Sequence, residues 1–519
     1  MKKLYLISAI LMCSLIVRAQ HLNVLMGALH YPNEPSIMIN PQNTNQILAG
    51  ANTTNYYYSD DGGYTWENKD LISPQLGVWG DPCIIADTAG SFYFFHLSNP
   101  TNGNWIDRIV CQRTDDFTTN WTAGFGIGLN GTKAQDKEWA VVDPANNHIY
   151  VTWTQFDEYG SYSPGDSSII RFSKSMDQGE TWSEPVRLSK TAGDCIDSDN
   201  TVEGAVPAVG PNGEIYVAWA GPEGILFDRS LDGGETWLEN DRQLSDFPGG
   251  WDFAISGIMR SNGFPVTICD LSNGPNRGNI YINWSDQRNG PDDTDIWMIK
   301  STDGGESWSE RIRVNDDAPG KQQFFNWMCV DQATGKLWCI FYDRRNYNDT
   351  QTDVYLAMSD DGGETFTNFK VSETPFVPTS STFFGDYSNI SAYNDVVRPV
   401  WTRLHNNQLG IYTAIVDIES VGLPDLFADQ PSAVIHSWPN PFSQTAVFSY
   451  KLRREGSVSL SLRDITGRTV AVFINNQVLS AGKYVQQLNG SVLQLDAGVY
   501  FFELLTPSGK QCQKVVYAP

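Results

Sequence analysis

Positive charge is scarce in this chain. Over 519 residues, 35 Lys and Arg stand against 60 Asp and Glu, a formal net charge of −25. No basic stripe interrupts that balance, which disfavours nucleic acid and anionic membrane surfaces as partners. Long apolar runs are lacking too. The run inside "MKKLYLISAILMCSLIVRAQ" (residues 1–20) is too short to cross a bilayer, so no membrane span is expected. Closely spaced metal-ligating cysteines are also missing. Beyond Cys13, the thiols Cys83, Cys111, Cys195, Cys269, Cys329, Cys339 and Cys512 show no ligand pattern, and an odd number leaves at least one unpaired. Several lie in strand-like runs such as "NWMCVD" and "LWCIFY", where a thiol serves as a small buried hydrophobe. No cofactor is implied. Acidic loops could hold calcium, although no run matches a helix–loop–helix calcium site.

What is present points to an all-β protein. The chain has 17 Trp, 22 Tyr, 25 Phe and 45 Gly, a composition suited to many short strands joined by tight turns, and its 41% hydrophobic content can bury a large core. Two lysines, an apolar stretch and a small-residue site ending "VRA" read as a secretory signal peptide over residues 1–19. Removing Lys2, Lys3 and Arg18 takes the formal charge from −25 to −28, so the mature protein is strongly acidic.

One octapeptide recurs: "SDDGGYTW" (59–66), "SMDQGETW" (175–182), "SLDGGETW" (230–237), "STDGGESW" (301–308) and "SDDGGETF" (359–366). Alignment on it exposes a module of two strand-like runs joined by a turn, a third run that enters the octapeptide, and a fourth after it. A second module keeps Thr114, Asp116 and Trp121 of a degraded copy, and a last one, "YSNISAYNDVVRPVWTRLHNNQLGIYTAIVD", has three strands and no copy. Four-stranded antiparallel blades in series imply a β-propeller over residues 20–420, with seven blades favoured and six the alternative. In the seven-blade arrangement "HLNVLMG" supplies the missing strand, closing the ring and hiding its edges.

The octapeptide joins the third strand to the fourth, and Ser, Asp and Gly suit that hairpin. Asp61, Asp177, Asp232, Asp303 and Asp361 are therefore structural candidates. The pattern S-x-D-x-G-x-T-W, at Ser59, Asp61, Gly63, Thr65 and Trp66 and in four further copies, resembles the Asp-box (BNR) repeat of sialidase-like propellers. That resemblance places the boxes on the face away from the active site. The superfamily includes glycosidases, lectin-like modules and receptors, so fold and function are argued separately.

The opposite face is built from loops after second strands and before first strands. After second strands come His96, Asp157, "WSDQR" with Asp286 and Arg288, "FYDRR" with Asp343, Arg344 and Arg345, and "WTR" with Arg403. Before first strands come "GDP" with Asp81, "DKE" with Asp136 and Glu138, "VEG" with Glu203, "WDF" with Asp252, and "GDY" with Asp386 and Tyr387. Sialidase-like chemistry would use arginines as a bidentate clamp on a sugar carboxylate, a Tyr activated by a carboxylate as nucleophile, and an Asp as acid. By that resemblance Arg288, Arg344 and Arg403 are the clamp candidates, with Arg345, Asp286 and Asp343 in the same substrate-binding loops. Tyr387 or Tyr342 is the nucleophile, Glu203 its base, and Asp81 or Asp136 the acid. The chain departs from the family in lacking an Arg-Ile-Pro tripeptide. The Asp-Arg pairs also have a structural reading as ion pairs bracing adjacent blades. Exo-sialidase-type hydrolysis of a glycan or glycoprotein is the leading expectation. A non-catalytic glycan- or protein-binding adhesion propeller and a glycosidase for neutral polysaccharides, with apposed carboxylates and no clamp, are the others.

After a Pro-containing linker (421–435), alternating runs such as "VSLSLRD" and "VYFFEL" with turns "TGR" and "PSGK" read as a small immunoglobulin-like β-sandwich, residues 436–519. Pro439-Asn440-Pro441-Phe442, Asp464-Ile465, Gly467-Arg468, Ala481-Gly482-Lys483-Tyr484 and Ala497-Gly498-Val499-Tyr500 resemble the C-terminal sorting domain of type IX secretion in Bacteroidetes. The resemblance implies export through the periplasm to the cell surface or medium, with the type IX machinery as partner.

Overall fold

The computed structural model of the chain describes residues 21–418 except 119, and 435–519 except 439, 453–455, 481 and 507–508. The expected signal peptide and almost all of the expected linker lie outside the described residues. Every regular element among the described residues is a strand, and the chain divides into two compact units, residues 1–421 and 422–519.

The first unit holds seven four-stranded antiparallel sheets. Six take consecutive strands, opening with the inner strands Ser36–Ile39, Gly80–Ala86, Ala134–Val142, Glu203–Val209, Val266–Cys269 and Gln323–Val330. The seventh combines Asn389–Tyr393, Val396–His405 and Gln408–Ile415 with the N-terminal strand Leu22–Gly27, which pairs Leu22 with Ile415 and Val24 with Thr413. Each inner strand packs on the inner strands of both neighbours, the first on the seventh included, so the circuit is closed and the sheet edges are protected.

Burial on both faces explains why the second strands read as nearly continuous apolar runs rather than alternating ones. Trp153, Trp219, Trp284, Trp338 and Trp401 of five second strands are fully buried between blades. The described thiols are all free, and five of the seven are buried, as small core hydrophobes would be.

Every third strand that carries a full octapeptide ends on its serine. In the first copy, the Ser59 hydroxyl bonds Asp61 at 2.8 Å and accepts the Gly63 N–H at 2.8 Å. Asp61 accepts the N–H groups of Tyr64 and Thr65 and the Thr65 hydroxyl, and the Trp66 indole N–H caps the Gly63 carbonyl. The same Ser–Asp–Thr or Ser–Asp–Ser arrangement recurs at Asp177, Asp232, Asp303 and Asp361. These carboxylates are saturated by turn donors, the chemistry of a brace.

The second unit is a two-sheet sandwich of Ile435–Trp438, Thr445–Leu452 and Gly482–Asn489 against Thr469–Leu479, Gly456–Asp464, Gly498–Thr506 and Gly509–Tyr517. Phe448 of one sheet stacks on Phe502 of the other at 4.1 Å within its own core.

Candidate functional site

The inner strands of the second, third, fourth and sixth blades begin with one shared irregularity. Register skips between Gly80 and Cys83, Asp136 and Trp139, Glu203 and Val206, and Phe324 and Trp327. Inside each skip one residue is left-handed: Asp81 (φ 51°), Lys137 (φ 54°), Gly204 (φ 70°) and Phe325 (φ 53°). Glu34, just before the first inner strand, has φ 53°. Left-handed backbone is costly for a residue with a Cβ and persists where its surroundings enforce it. A bulge takes a side chain out of the strand's alternation. Here the bulges bring Asp81 and Lys137 beside Glu34 in one buried cluster.

Lys137 is the hub. Its Nζ donates to Asp386 Oδ2 at 2.6 Å and Asp81 Oδ2 at 3.3 Å, with Glu34 Oε1 at 3.8 Å. Arg260, from the loop before the fifth inner strand, donates through Nε to Asp386 Oδ1 at 2.8 Å and through Nη1 to Asp197 Oδ2 at 2.6 Å, while its Nη2 also meets Asp386. Tyr159 donates its hydroxyl to Asp197 at 2.7 Å. Asn52 ties Glu34 to the Asp81 N–H, and the Asp386 N–H reaches Glu34 at 3.1 Å. An aromatic floor lies beside this network, with Trp139 4.1 Å from Trp327 and 5.1 Å from Tyr387 between ring centres. The cleft among Lys137, Trp139, Asn262, Phe325, Asp386 and Tyr387 has a volume of about 10 Å³, room for one water.

The carboxyl groups are driven apart in protonation. Burial pushes Asp136 up to about 7, with Lys137 opposing and Asp81, which also hydrogen-bonds it, adding to the rise. Glu203 is raised well above the carboxylate range by burial and then by Asp197 and Asp136. Glu138 is raised by burial and Asp81, and Glu34 by burial and Asp81. Neither oxygen of Glu138 or Glu203 has a hydrogen-bond partner, although both side chains are fully buried. Asp386 goes the other way: burial opposes its charge, and Lys137 and Arg260 outweigh it, holding it far below the usual range. The Tyr387 hydroxyl is raised by burial, Asp81 and Glu34, so it stays a phenol. Acids that keep a proton near neutrality thus sit beside a carboxylate that cannot hold one. Among the described residues no group of three His, Cys, Asp or Glu is arranged to hold a metal ion.

Of the residues singled out in the sequence, Asp81, Asp136, Glu138, Glu203, Asp386 and Tyr387 belong to this cluster. The carboxylates bearing on Glu203 are Asp197 and Asp136, whereas those bearing on Tyr387 are Asp81, Glu34 and Glu138. Tyr342 is fully buried with its hydroxyl on the Thr402 carbonyl at 2.6 Å. His96 is also buried, bonded to Leu97 and Gln112, and burial lowers it to about 4. The arginines do not join the cluster. Arg288 pairs with Asp286 and reaches Asp246 at 3.6 Å. Arg345 pairs with Asp343 at 2.7 Å and with Asp316 at 2.5 Å, so both bridge consecutive blades. Arg344 lies buried over Phe324, donating to Ser256 and Thr352, and Arg403 donates to Thr374. No two of these four share a partner. Sequence reasoning overlooked Lys137, Arg260, Glu34, Asp197 and Tyr159, yet Lys137 stands inside the quoted "DKE".

A ring of seven antiparallel blades, five of them carrying Asp boxes and the last closed by the N-terminal strand, defines an Asp-box β-propeller. Family comparison agrees: the BNR/Asp-box repeat profile matches residues 57–68, and the secretion system C-terminal sorting domain profile matches residues 436–518. The chain is thus an Asp-box propeller carrying a type IX sorting domain, which marks it for export to the cell surface or medium. No curated protein matches it. Among solved structures, a Hadza microbial sialidase is 14% identical, covering 72% of this chain and 74% of that one at a TM-score of 0.41. An α-L-arabinanase of Penicillium chrysogenum is 14% identical over 66% and 98% at 0.41, and the NanB sialidase of Streptococcus pneumoniae is 10% identical over 72% and 84% at 0.41.

Proposed function

We propose that this secreted propeller hydrolyses a glycan by acid–base catalysis at the centre of the face opposite the Asp boxes. One observation carries the reading: Asp136, hydrogen-bonded to Asp81 and held near a pKa of about 7, lies beside Lys137 and the permanently ionised Asp386. Asp136 would protonate the departing glycosidic oxygen as that bond breaks, a water would add to the anomeric carbon, and the water's proton would be passed through Asp81 to restore the Asp136 acid. Lys137 keeps Asp81 and Asp386 oriented. Glu203, unpartnered and protonated, is a second proton source on the Asp197 side. With room for one water at the base of the cleft, the sugar ring would rest above the cluster.

The charge balance favours a neutral glycan. Seven carboxyl groups, Glu34, Asp81, Asp136, Glu138, Asp197, Glu203 and Asp386, surround two cations that are already engaged. The exo-sialidase reading would need Arg288, Arg344 and Arg403 to leave separate networks and close on one sugar carboxylate. Its support is the Tyr387 phenol beside Asp81, with Arg260 as the nearest guanidinium of the cluster.

The test is release of reducing ends from a panel of neutral polysaccharides, run beside fluorophore release from a sialic acid conjugate. Hydrolysis of a neutral glycan that falls at least about 100-fold in Asp136→Asn is expected. Turnover of the sialic acid conjugate alone would replace this reading with the exo-sialidase one. Absence of turnover on both, with binding retained, would make the face an adhesion surface.

A further inference from the structure

Above the acidic cluster stands a feature that catalysis leaves unexplained. Among the described side chains the only exposed tryptophans are Trp79, at 41%, and Trp105, at 44%, and they touch each other edge to face at 5.8 Å. Trp105 in turn meets Tyr159 at 5.7 Å, and Tyr159 holds Asp197 of the cluster. Both tryptophans are also joined to the site through the backbone. Trp79 lies two residues before Asp81. The residue after Trp105, Ile106, accepts the N–H of Gln135, the neighbour of Asp136, at 2.7 Å.

The two loops are held in place. Asp107 accepts the Ser98 hydroxyl at 2.8 Å and two bonds from Arg108 at 2.8 and 2.9 Å, fixing the turn that presents Trp105. The Asn99 N–H bonds the Leu76 carbonyl at 2.8 Å and links the Trp105 loop to the Trp79 loop. Gly77, at φ +65°, permits that approach, since a Cβ there would lie 2.0 Å from the Asn99 carbonyl oxygen. Ordered loops that keep two large rings in water mark a ligand surface, because exposing such area costs free energy that nothing within the fold recovers.

We infer that Trp79 and Trp105 form an outer sugar subsite, so that the substrate is a neutral glycan chain extending beyond the bond cleaved at Asp136. The C–H face of a sugar ring stacks on an indole by burying apolar area, whatever hydroxyl pattern its edge carries. Two rings at 89° make a corner that supports one ring from below and another from the side. The wall is continuous with the cluster through Tyr159 and Asp197, and among the described residues the cations beside it, Arg108 and Arg260, are already paired with Asp107, Asp386 and Asp197. The direction of the chain rests on the proposed hydrolysis; the stacking surface does not.

Affinity electrophoresis of the full-length protein through gels containing soluble arabinan, xyloglucan, galactomannan or laminarin separates the two ideas. At least one polysaccharide is expected to retard the wild type and Asp136→Asn equally. Trp105→Ala and Trp79→Ala should each weaken that retention about tenfold, the scale for truncating an anchoring tryptophan. Both side chains are exposed, so melting curves of the variants should match the wild type. Retardation lost in the tryptophan variants, with no reducing ends released by the wild type, would uphold the subsite and sink the hydrolase. Retardation by none of the four polymers, or retardation indifferent to both tryptophans, would overturn the subsite.

Discussion

At the scale of the residue, Asp136 makes the sharpest claim. Burial and Asp81 outweigh Lys137 and lift it to about 7, so its proton is present below that pH and gone above it. If it is the acid, kcat/KM on a neutral glycan should fall along an alkaline limb with an apparent pKa near 7. In Asp81→Asn one contribution to the rise is removed, and the limb should move to lower pH. A pH–rate profile checks both, and a limb that stays in place in Asp81→Asn would detach Asp136 from the chemistry. Stability follows the same proton with a definite sign. The folded state holds it at pH values where an unfolded Asp has lost it, so this group favours folding as pH falls from about 7 to about 4 and opposes it above 7. Asp232 of a box behaves in the opposite sense. Thr236 and Ser230 hold it at about 2, and its contribution, present above about 4, disappears only as pH falls through 2.

At the scale of the element, the boxes do more than close hairpins. A cation near the end of one third strand reaches the next blade's box. Lys174 donates to the Gly233 carbonyl at 2.9 Å and to Glu235, Arg229 to Gly304 and Glu306, and Lys300 to Gly362 at 3.0 Å and to Glu364. Across the ring closure Arg398 caps Gly62 at 2.7 Å, deeply buried and without a carboxylate, and burial lowers its pKa to about 10. Truncation should therefore be unequal. Arg398→Ala strips a charged hydrogen bond from a buried carbonyl and should cost roughly 2–3 kcal/mol. Lys174→Ala, whose partner Glu235 is exposed, should cost under about 1 kcal/mol. Urea unfolding of the propeller checks this, and equal losses would mean the ring-closing latch has no special weight.

Strand periodicity and the box spacing made these elements legible from sequence. So did the pairing of "HLNVLMG" with the last module, where Leu22 faces Ile415. The site was legible only in outline. "GDP", "DKE", "VEG" and "GDY" supply Asp81, Lys137, Glu203 and Asp386 to the candidate cluster, but alternation cannot tell which residue of "DKE" turns inward. The bulge that points Lys137 into the cluster is a backbone event with no side-chain signature. Arg288 and Arg345 misled for a related reason. Just past the end of a second strand, each lies over an aromatic ring of its own blade's third strand, Arg288 over Trp297 and Arg345 over Tyr355, and pairs with a carboxylate of the preceding blade, contacts that only the tertiary structure discloses.

At the scale of the whole molecule, two cores share no residue. The propeller's main cluster runs from Cys83 to Val416, and the tail's from Phe442 to Tyr517. The proposed catalytic cluster and the address therefore belong to different units. Deleting residues 436–519 should leave the melting transition of the propeller unchanged and its glycan turnover intact in the purified protein, because Asp136, Lys137 and Asp386 draw every partner from the first unit. The same deletion should change where the protein is found. Without the sorting domain it should accumulate in the periplasm of a host with type IX secretion, while the full chain reaches the surface or the medium. Fractionation with an antibody to the propeller measures the change of location, and calorimetry with an assay of the truncated protein measures the stability and turnover. A truncated chain that still reaches the surface would deny the tail its role as the address. One that is exported normally but has lost its propeller transition would make the tail part of the catalytic unit's fold.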